Sequence, residues 1–385
     1  MGLLAAQGRP APAAGQAPSR SGASTSHGLC ASCHMSHRKG ALPGKSKLVR
    51  AATEPLCLSC HEGSATLPGL EAAPKLSPWS GQGSGHVKGR FSSRRAESYL
   101  RTARDGQSRT VRLAQDCLGC HEAHGKERGK LRTTAFDARG QLLDRRPQAV
   151  AEICFGCHAG QDAAQLPSGT RDLGSQFDKG AVSSHRIGAT MADRPDLPSL
   201  RSSVFQGRLD CTSCHDNPDA SGSRGPHVSA NPAILKAPFG HEKDLGRLGD
   251  RVNDLCFLCH DKPSILTNQS FPYHSQHLNG FTGGGPAAPR RVPGLSEAAA
   301  VLGIRSSRDL RPGRSGALQP GYGEPTACAT CHASHGSPRQ ASLIEFDRSV
   351  VTASSVGGAN FQRLGMGHGT CTLTCHGYDH VQARY

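Results

Sequence analysis

Apolar residues along this chain gather into short runs and set up no long period. Alanine, leucine and charged residues collect at Ala149 to His158, Val252 to His260 and Ser296 to Leu302, which predicts short helical turns there. Alternation of the kind a half-buried strand shows is hard to find, so very little β structure is expected. Residues 1–26 are a Gly, Ala, Pro and Ser tract without hydrophobic period and read as a low-complexity tail. Residues 281–325, rich in Gly, Pro and Arg, read as a surface arm. No run of 18 or more apolar residues occurs, so no transmembrane segment is expected.

A far stronger pattern lies in the cysteines. All 16 fall into pairs, each followed at once by a histidine. The pairs are Cys30 and Cys33 with His34, Cys57 and Cys60 with His61, Cys117 and Cys120 with His121, and Cys154 and Cys157 with His158. They continue with Cys211 and Cys214 with His215, Cys256 and Cys259 with His260, Cys328 and Cys331 with His332, and, with one extra residue between the cysteines, Cys371 and Cys375 with His376. Two cysteines three apart can each add a sulfur across a vinyl group of one haem, and the next histidine then lies under the iron as an axial ligand. Chance would place a histidine after every one of eight pairs roughly once in ten billion. Zinc ribbons also pair cysteines, but they do not demand an adjacent histidine at each pair. The cofactor call is therefore eight covalently attached c-type haems, with their iron.

Composition then changes meaning. Only 36% of residues are apolar and 4% aromatic, with 47 Gly and 25 Pro, too little for a conventional core in 385 residues. Eight flat macrocycles would supply the missing interior, so folding is expected to depend on their attachment. The formal charge of +15 suggests nucleic acid or a membrane surface until propionates are counted. Eight haems would add roughly −16, partly offset at the irons, so no nucleic-acid partner is expected. The seven arginines from Arg90 to Arg112 read first as propionate partners and solvated surface, with a docking face for an acidic redox partner as the second reading. Glu62, Glu122, Asp216 and Asp261 beside the motifs read as solvated charges or helix caps.

After the tail the chain repeats: an upstream histidine, a first motif, a basic Gly/Pro segment, and a second motif usually preceded by an apolar residue (Leu56, Ile153, Leu255). The repeats define dihaem modules at 27–84, 85–183, 184–272 and 273–385, the last carrying the arm 281–325. The fold class expected is irregular coil with short α-helices organised by haem. Met1 to Gly8 show neither a basic n-region nor a full apolar h-region. Because haem attachment takes place outside the cytoplasm, a trimmed signal or a misassigned start is expected.

Cys-x-x-Cys-His-x-x-His followed some tens of residues later by Leu-Cys-x-x-Cys-His resembles the doubled-CXXCH family of multihaem c-type cytochromes, over nearly all of residues 27–385. The resemblance implies a compact row of closely stacked haems with two histidines per iron, used for long-range electron transfer in the periplasm or at the cell surface. Two departures stand out. Asn217-Pro218 breaks the extension in the third repeat, and Cys371-Thr372-Leu373-Thr374-Cys375-His376 is one residue too long.

Eight irons need 16 axial ligands, and the motifs supply eight histidines. One upstream and one intervening histidine per repeat add His27, His37, His86, His124, His185, His227, His335 and one of His274 or His277. His241, His368 and His380 are spares, His368 and His380 being the challengers because they flank the last motif. Besides Met1 only Met35, Met191 and Met366 are available, so most irons should be bis-histidine and closed to substrate. The expectation is an electron-transfer protein and not an enzyme. It is an extracellular conduit that polymerises head to tail, passing electrons to other redox proteins or extracellular acceptors. A soluble periplasmic shuttle, or the haem subunit of a membrane complex, is the first alternative. A multihaem reductase with one open haem is the second.

Overall fold

The computed structural model describes residues 57, 84–86, 97–114, 116–122, 131–160, 166–167, 170–177, 180–189, 199–218, 225–269, 271–280, 325–365 and 367–384. The tail, His27, Cys30, Cys33, His34, His37, Cys60, His61, His124, the arm over 281–324 and the expected helix at Ser296 to Leu302 lie outside the described residues.

Two of the expected helices form, in shortened versions. Ala151–His158 is a helix whose Ala151, Ile153 and Phe155 are buried. Val252 to His260 resolves into the end of a 3-10 turn, Gly249–Asn253, and a short helix, Asp254–Phe257. Three further motifs fold as single turns: Cys117–Cys120, Cys211–Cys214 and Cys328–Cys331. A helix this short is unstable alone, so its ends must be held by other groups.

Strands are more frequent than the sequence suggests. β1 (Ser84–Gly85) pairs with β7 (Val228–Ser229), and β6 (Ser183–Ser184) with β8 (Gly336–Ser337). β4 (Ala135–Phe136) pairs with β5 (Leu142–Leu143). β2 (Glu97–Thr102) and β3 (Ser108–Leu113) form an antiparallel hairpin closed by the turn at Asp105-Gly106, where Gly106 adopts φ 80°. Near the C-terminus β9 (Val351–Thr352), β10 (Asn360–Gly365), β11 (His368–Cys375) and β12 (Tyr378–Arg384) make one sheet with β11 inside. These strands escaped the sequence reading because serine, threonine and arginine fill most outward positions, and in β2 the inner face itself carries Arg101 while Leu100 is exposed, leaving one or two apolar residues per strand to mark the inner face.

Among the described residues, buried apolar side chains form two small clusters. Tyr99, Val111 and Leu113 of the hairpin pack with Phe136, Ala151, Phe155 and Ala159. Ile344, Phe346, Val351 and Leu373 make the second cluster beneath the C-terminal sheet. In both, motif cysteines pack against the edge: Cys157 and Cys211 on the first, Cys331, Cys371 and Cys375 on the second.

The expected module boundaries at 84/85 and 183/184 fall inside β1 and β6, and both strands pair with a later repeat. His185 repeats the pattern, its backbone N–H donating to His335 O at 2.9 Å and its Nδ1 to Ser334 O at 2.8 Å. Consecutive repeats are thus stitched together by backbone pairing.

Candidate haem sites

Four motifs share one backbone design. The N–H of the motif histidine bonds the carbonyl of the first cysteine at 2.8–2.9 Å, in Cys117/His121, Cys211/His215, Cys256/His260 and Cys328/His332. That turn puts both cysteines and the histidine on one side of a single helical loop. A strap from elsewhere then crosses it. Leu131, Leu235, Leu200 and Ile344 bridge to His121, His215, His260 and His332. The residue after each, Arg132, Lys236, Arg201 and Glu345, donates its N–H to the second cysteine's carbonyl at 2.9 Å.

Carboxylates and amides cap these turns, and the sequence reading missed them. Asp116 Oδ1 accepts from Leu118 N at 2.9 Å. Asp210 caps its own turn through Cys211 N at 2.7 Å and, at the same time, accepts Val150 N at 2.9 Å and Ala151 N at 2.8 Å from the preceding motif helix. Asn253 Oδ1 accepts Cys328 N at 2.9 Å, so it joins the Cys256 and Cys328 motifs likewise. An Asp immediately before the cysteine, as in Asp116-Cys117 and Asp210-Cys211, was the readable signal. Asp261 meets its expectation as a cap, accepting Ser264 N at 3.1 Å. Asp216 is buried and accepts Asn217 N and Gly225 N, with Lys236 Nζ 3.5 Å away.

The histidines stand in facing pairs. Ring centres are 6.3 Å apart in His86 and His158, 5.8 Å in His121 and His227, 6.1 Å in His215 and His335, and 6.4 Å in His274 and His332. An imidazole nitrogen binds a first-row metal at about 2.0–2.1 Å, so two imidazoles on opposite sides of one iron stand about 6 Å apart between ring centres. His185 approaches His260, and His277 approaches His376, closely enough for each charge to oppose the other. Two of the four ring pairs cross the expected modules: His227 comes from the repeat after His121, and His335 from the repeat after His215.

Second-sphere contacts fix the ring orientation. Nδ1 hydrogen-bonds a backbone carbonyl in His86 (Pro226, 2.8 Å), His158 (Arg171, 3.3 Å), His185, His215 (Ala233, 2.8 Å), His277 (Tyr273, 2.8 Å) and His332 (Ser342, 3.0 Å). In His335 the acceptor is Gln176 Oε1 at 3.2 Å. Donation from Nδ1 leaves Nε2 as the metal-binding nitrogen, the arrangement that metal-ligating histidines adopt. Burial lowers His260 and His335 to about 4 and His274 to about 3, and it also lowers His158, His185, His277 and His332, favouring the neutral ring. Neutral imidazole is the ligand form.

Protein groups come in twos. Among the described residues no three His, Cys, Asp or Glu converge to hold a bare ion, whereas a zinc site needs three or four. Two facing imidazoles beside two cysteines suit an iron whose other positions a macrocycle fills. The doubled-CXXCH family model matches residues 111–163, spanning the Cys117 and Cys154 motifs. This segment binds c-type haem. No curated protein and no solved structure matches the chain. Outside the doubled motif, the Cys211, Cys256 and Cys328 sites repeat its turn and strap, and their residues fit the same cofactor.

The last motif is built differently. Cys371 and Cys375 lie on β11 instead of a helical turn, about 13 Å apart at four strand residues of about 3.3 Å each. His376 adopts φ 52° and Gly377 φ 72° in the tight turn to β12. The His376 Nε2 lies 3.1 Å from Glu242 Oε1 and is buried without hydrogen-bond geometry to a partner. The extra residue accompanies a change from helix to strand. His241, one of the spares, is half exposed and bonds Asp347 at 3.0 Å.

Proposed function

We propose that the chain carries eight c-type haems in single file and passes electrons along them in sequence order. One observation carries this reading: described motifs from Cys154 onward are joined to their neighbours. Asp210 caps both the Cys154 helix and the Cys211 turn, and Cys157 and Cys211 pack on one apolar cluster. Asn253, beside the Cys256 helix, accepts Cys328 N, and Cys331, Cys371 and Cys375 pack on a second cluster. Haems bonded at these sulfurs stand in near contact, and the protein contributes spacing, axial ligation and tuning of potential.

At the four sites where ring pairs are described, an iron between the two imidazoles would have no position for substrate, which favours electron transfer over a reductase. Among the described residues no helix is long and apolar enough to cross a membrane. A single file of haems suits transfer to another copy or to an extracellular acceptor, and we propose that the protein acts outside the cytoplasm as a conduit that polymerises head to tail. A mass exceeding the bare chain by eight haems, with only low-spin ferric signals in electron paramagnetic resonance, is the expected result. Fewer haems, or a high-spin signal in the native protein, would sink the single-file reading. Micrographs of native material without fibres would sink the filament.

A further inference from the structure

This inference rests on the haem reading above and concerns how two motif histidines are held. The straps over His215 and His332 each begin with a turn built from residues that disfavour it. Ala233 (φ 55°, ψ 26°) and Ile234 (φ 59°) are left-handed in succession, and so are Ser342 (φ 59°, ψ 29°) and Leu343 (φ 58°). Positive φ at both central residues is the type I′ pattern, in which glycine, asparagine and aspartate are the usual occupants. Each side chain here crowds its own backbone, the β-branched Ile234 most of all. Such strain persists only where the surroundings impose it, and it collects at functional sites.

The two turns make the same contacts. The first left-handed carbonyl accepts Nδ1 of the motif histidine: Ala233 O from His215 at 2.8 Å, and Ser342 O from His332 at 3.0 Å. The second accepts the N–H of the residue after that histidine: Ile234 O from Asp216 at 2.9 Å, and Leu343 O from Ala333 at 2.7 Å. Loop length does not force this, because 18 residues separate histidine and turn in one site and 10 in the other. Sequence is shared only in part, since Pro232-Ala233-Ile234-Leu235 and Ala341-Ser342-Leu343-Ile344 agree in their aliphatic third and fourth positions. Those aliphatics are there to pack: Ile234 is buried and Leu343 half-buried, whereas Ala233 and Ser342 are exposed. What the two loops have in common is the acceptor brought to Nδ1.

We propose that Ala233–Ile234 and Ser342–Leu343 are positioning residues, whose strained turns lock the rings of His215 and His332 and lower the reduction potential at these two sites. An imidazole that donates from Nδ1 is the more basic ligand, and a more basic ligand favours the oxidised iron. A turn of the ordinary hand would aim those carbonyls elsewhere.

The test uses the full haem-loaded chain, titrated with reductant while absorption and electron paramagnetic resonance are followed. Proline cannot hold a φ of 55°, so Ala233→Pro withdraws the carbonyl. One haem should then titrate at higher potential, with every haem low-spin and the haem count unchanged by mass. Ser342→Pro should move a different haem, and the double variant two. Ala233→Gly and Ser342→Gly keep the turn, remove its strain and lose no buried side chain, so the potentials should stay while the denaturation midpoint rises. The glycine pair decides the matter where a proline variant does not mature. Unchanged potentials in fully loaded Ala233→Pro and Ser342→Pro proteins overturn the inference, as does a lower midpoint in both glycine variants, and either result leaves the haem reading standing. A parent peptide containing Cys211 and Cys214 that carries no haem sinks the haem reading at that site and this inference with it.

Discussion

The imidazoles of His215 and His335 face each other 6.1 Å apart, with 27° between their planes, although they belong to consecutive repeats. His121 and His227 face each other in the same way at 5.8 Å and 13°. An iron held between such a pair would be a coordinate cross-link from one repeat to the next, alongside the backbone pairing of β1 with β7 and β6 with β8.

Removing one ring should therefore be felt in both repeats. His335→Ala is expected to convert one haem from low-spin to high-spin at unchanged haem mass, and to lower the denaturation midpoint of the haem-loaded chain. His227→Ala should do the same at a different haem, and the double variant should show two high-spin haems. A His335→Ala protein with every haem low-spin would show that this imidazole is not a ligand.

Asp210 holds two motif helices with one carboxylate, accepting from Val150, Ala151 and Cys211. Losing a side-chain cap costs roughly 0.5–2 kcal/mol. Because two helix starts lose their acceptor, Asp210→Ala should cost about 2 kcal/mol or more. Asp210→Asn, which keeps one oxygen, should cost less. The check is the denaturant midpoint at unchanged slope, and an alanine variant as stable as the parent would refute the double cap.

The haem mounts were legible because covalent attachment demands fixed residues at fixed spacing, visible as Cys117, Cys120 and His121 without any fold. Pairing was not legible. His227 sits after a broken extension and its partner His121 is in the preceding repeat, so no spacing rule reaches it. The straps were hidden for a similar reason: Leu131-Arg132 and Leu235-Lys236 are ordinary dipeptides whose role appears only once they cross a motif. The C-terminal sheet was missed because Leu373 and the cysteines are almost its whole apolar face. His380, a spare and a challenger by sequence, is buried, with 7% of its surface exposed.

Acid should loosen the sites before base does. Burial holds His260 and His335 at about 4 against an ordinary value of 6.5. A histidine with a lowered folded pKa adds nothing above the unfolded value, and it costs stability as pH falls from about 6.5 toward the folded value, because the unfolded chain takes up the proton first. Protonation also competes with iron for the same lone pair. Low-spin absorption should hold near neutrality and decline between about pH 6.5 and 4, with the denaturation midpoint falling alongside. A midpoint flat across that window would contradict the buried, neutral rings.

Among the described arginines of the tract, Arg101 is the one whose side chain is wholly buried, at 0% exposure, so it belongs to no docking face. Its Nη1 donates to Ala159 O at 2.9 Å and its Nη2 to Gly156 O at 2.7 Å, and its guanidinium lies over the Phe136 ring at 5.7 Å. Those carbonyls close the end of the helix carrying Cys154, Cys157 and His158, where backbone acceptors have no intrahelical partner. Gly140 keeps the site tight, since a side chain there would meet Ala159 O at 2.3 Å. A hydrogen bond from a charged group is worth about 1.5–3 kcal/mol, so Arg101→Met should destabilise the haem-loaded chain by about 3 kcal/mol. Arg101→Lys keeps the charge but lacks the planar fork that reaches two carbonyls, so it should recover about half of that loss. If lysine restored the full midpoint, charge alone would account for Arg101, and the two-carbonyl clamp would be the wrong description of how this helix end is held.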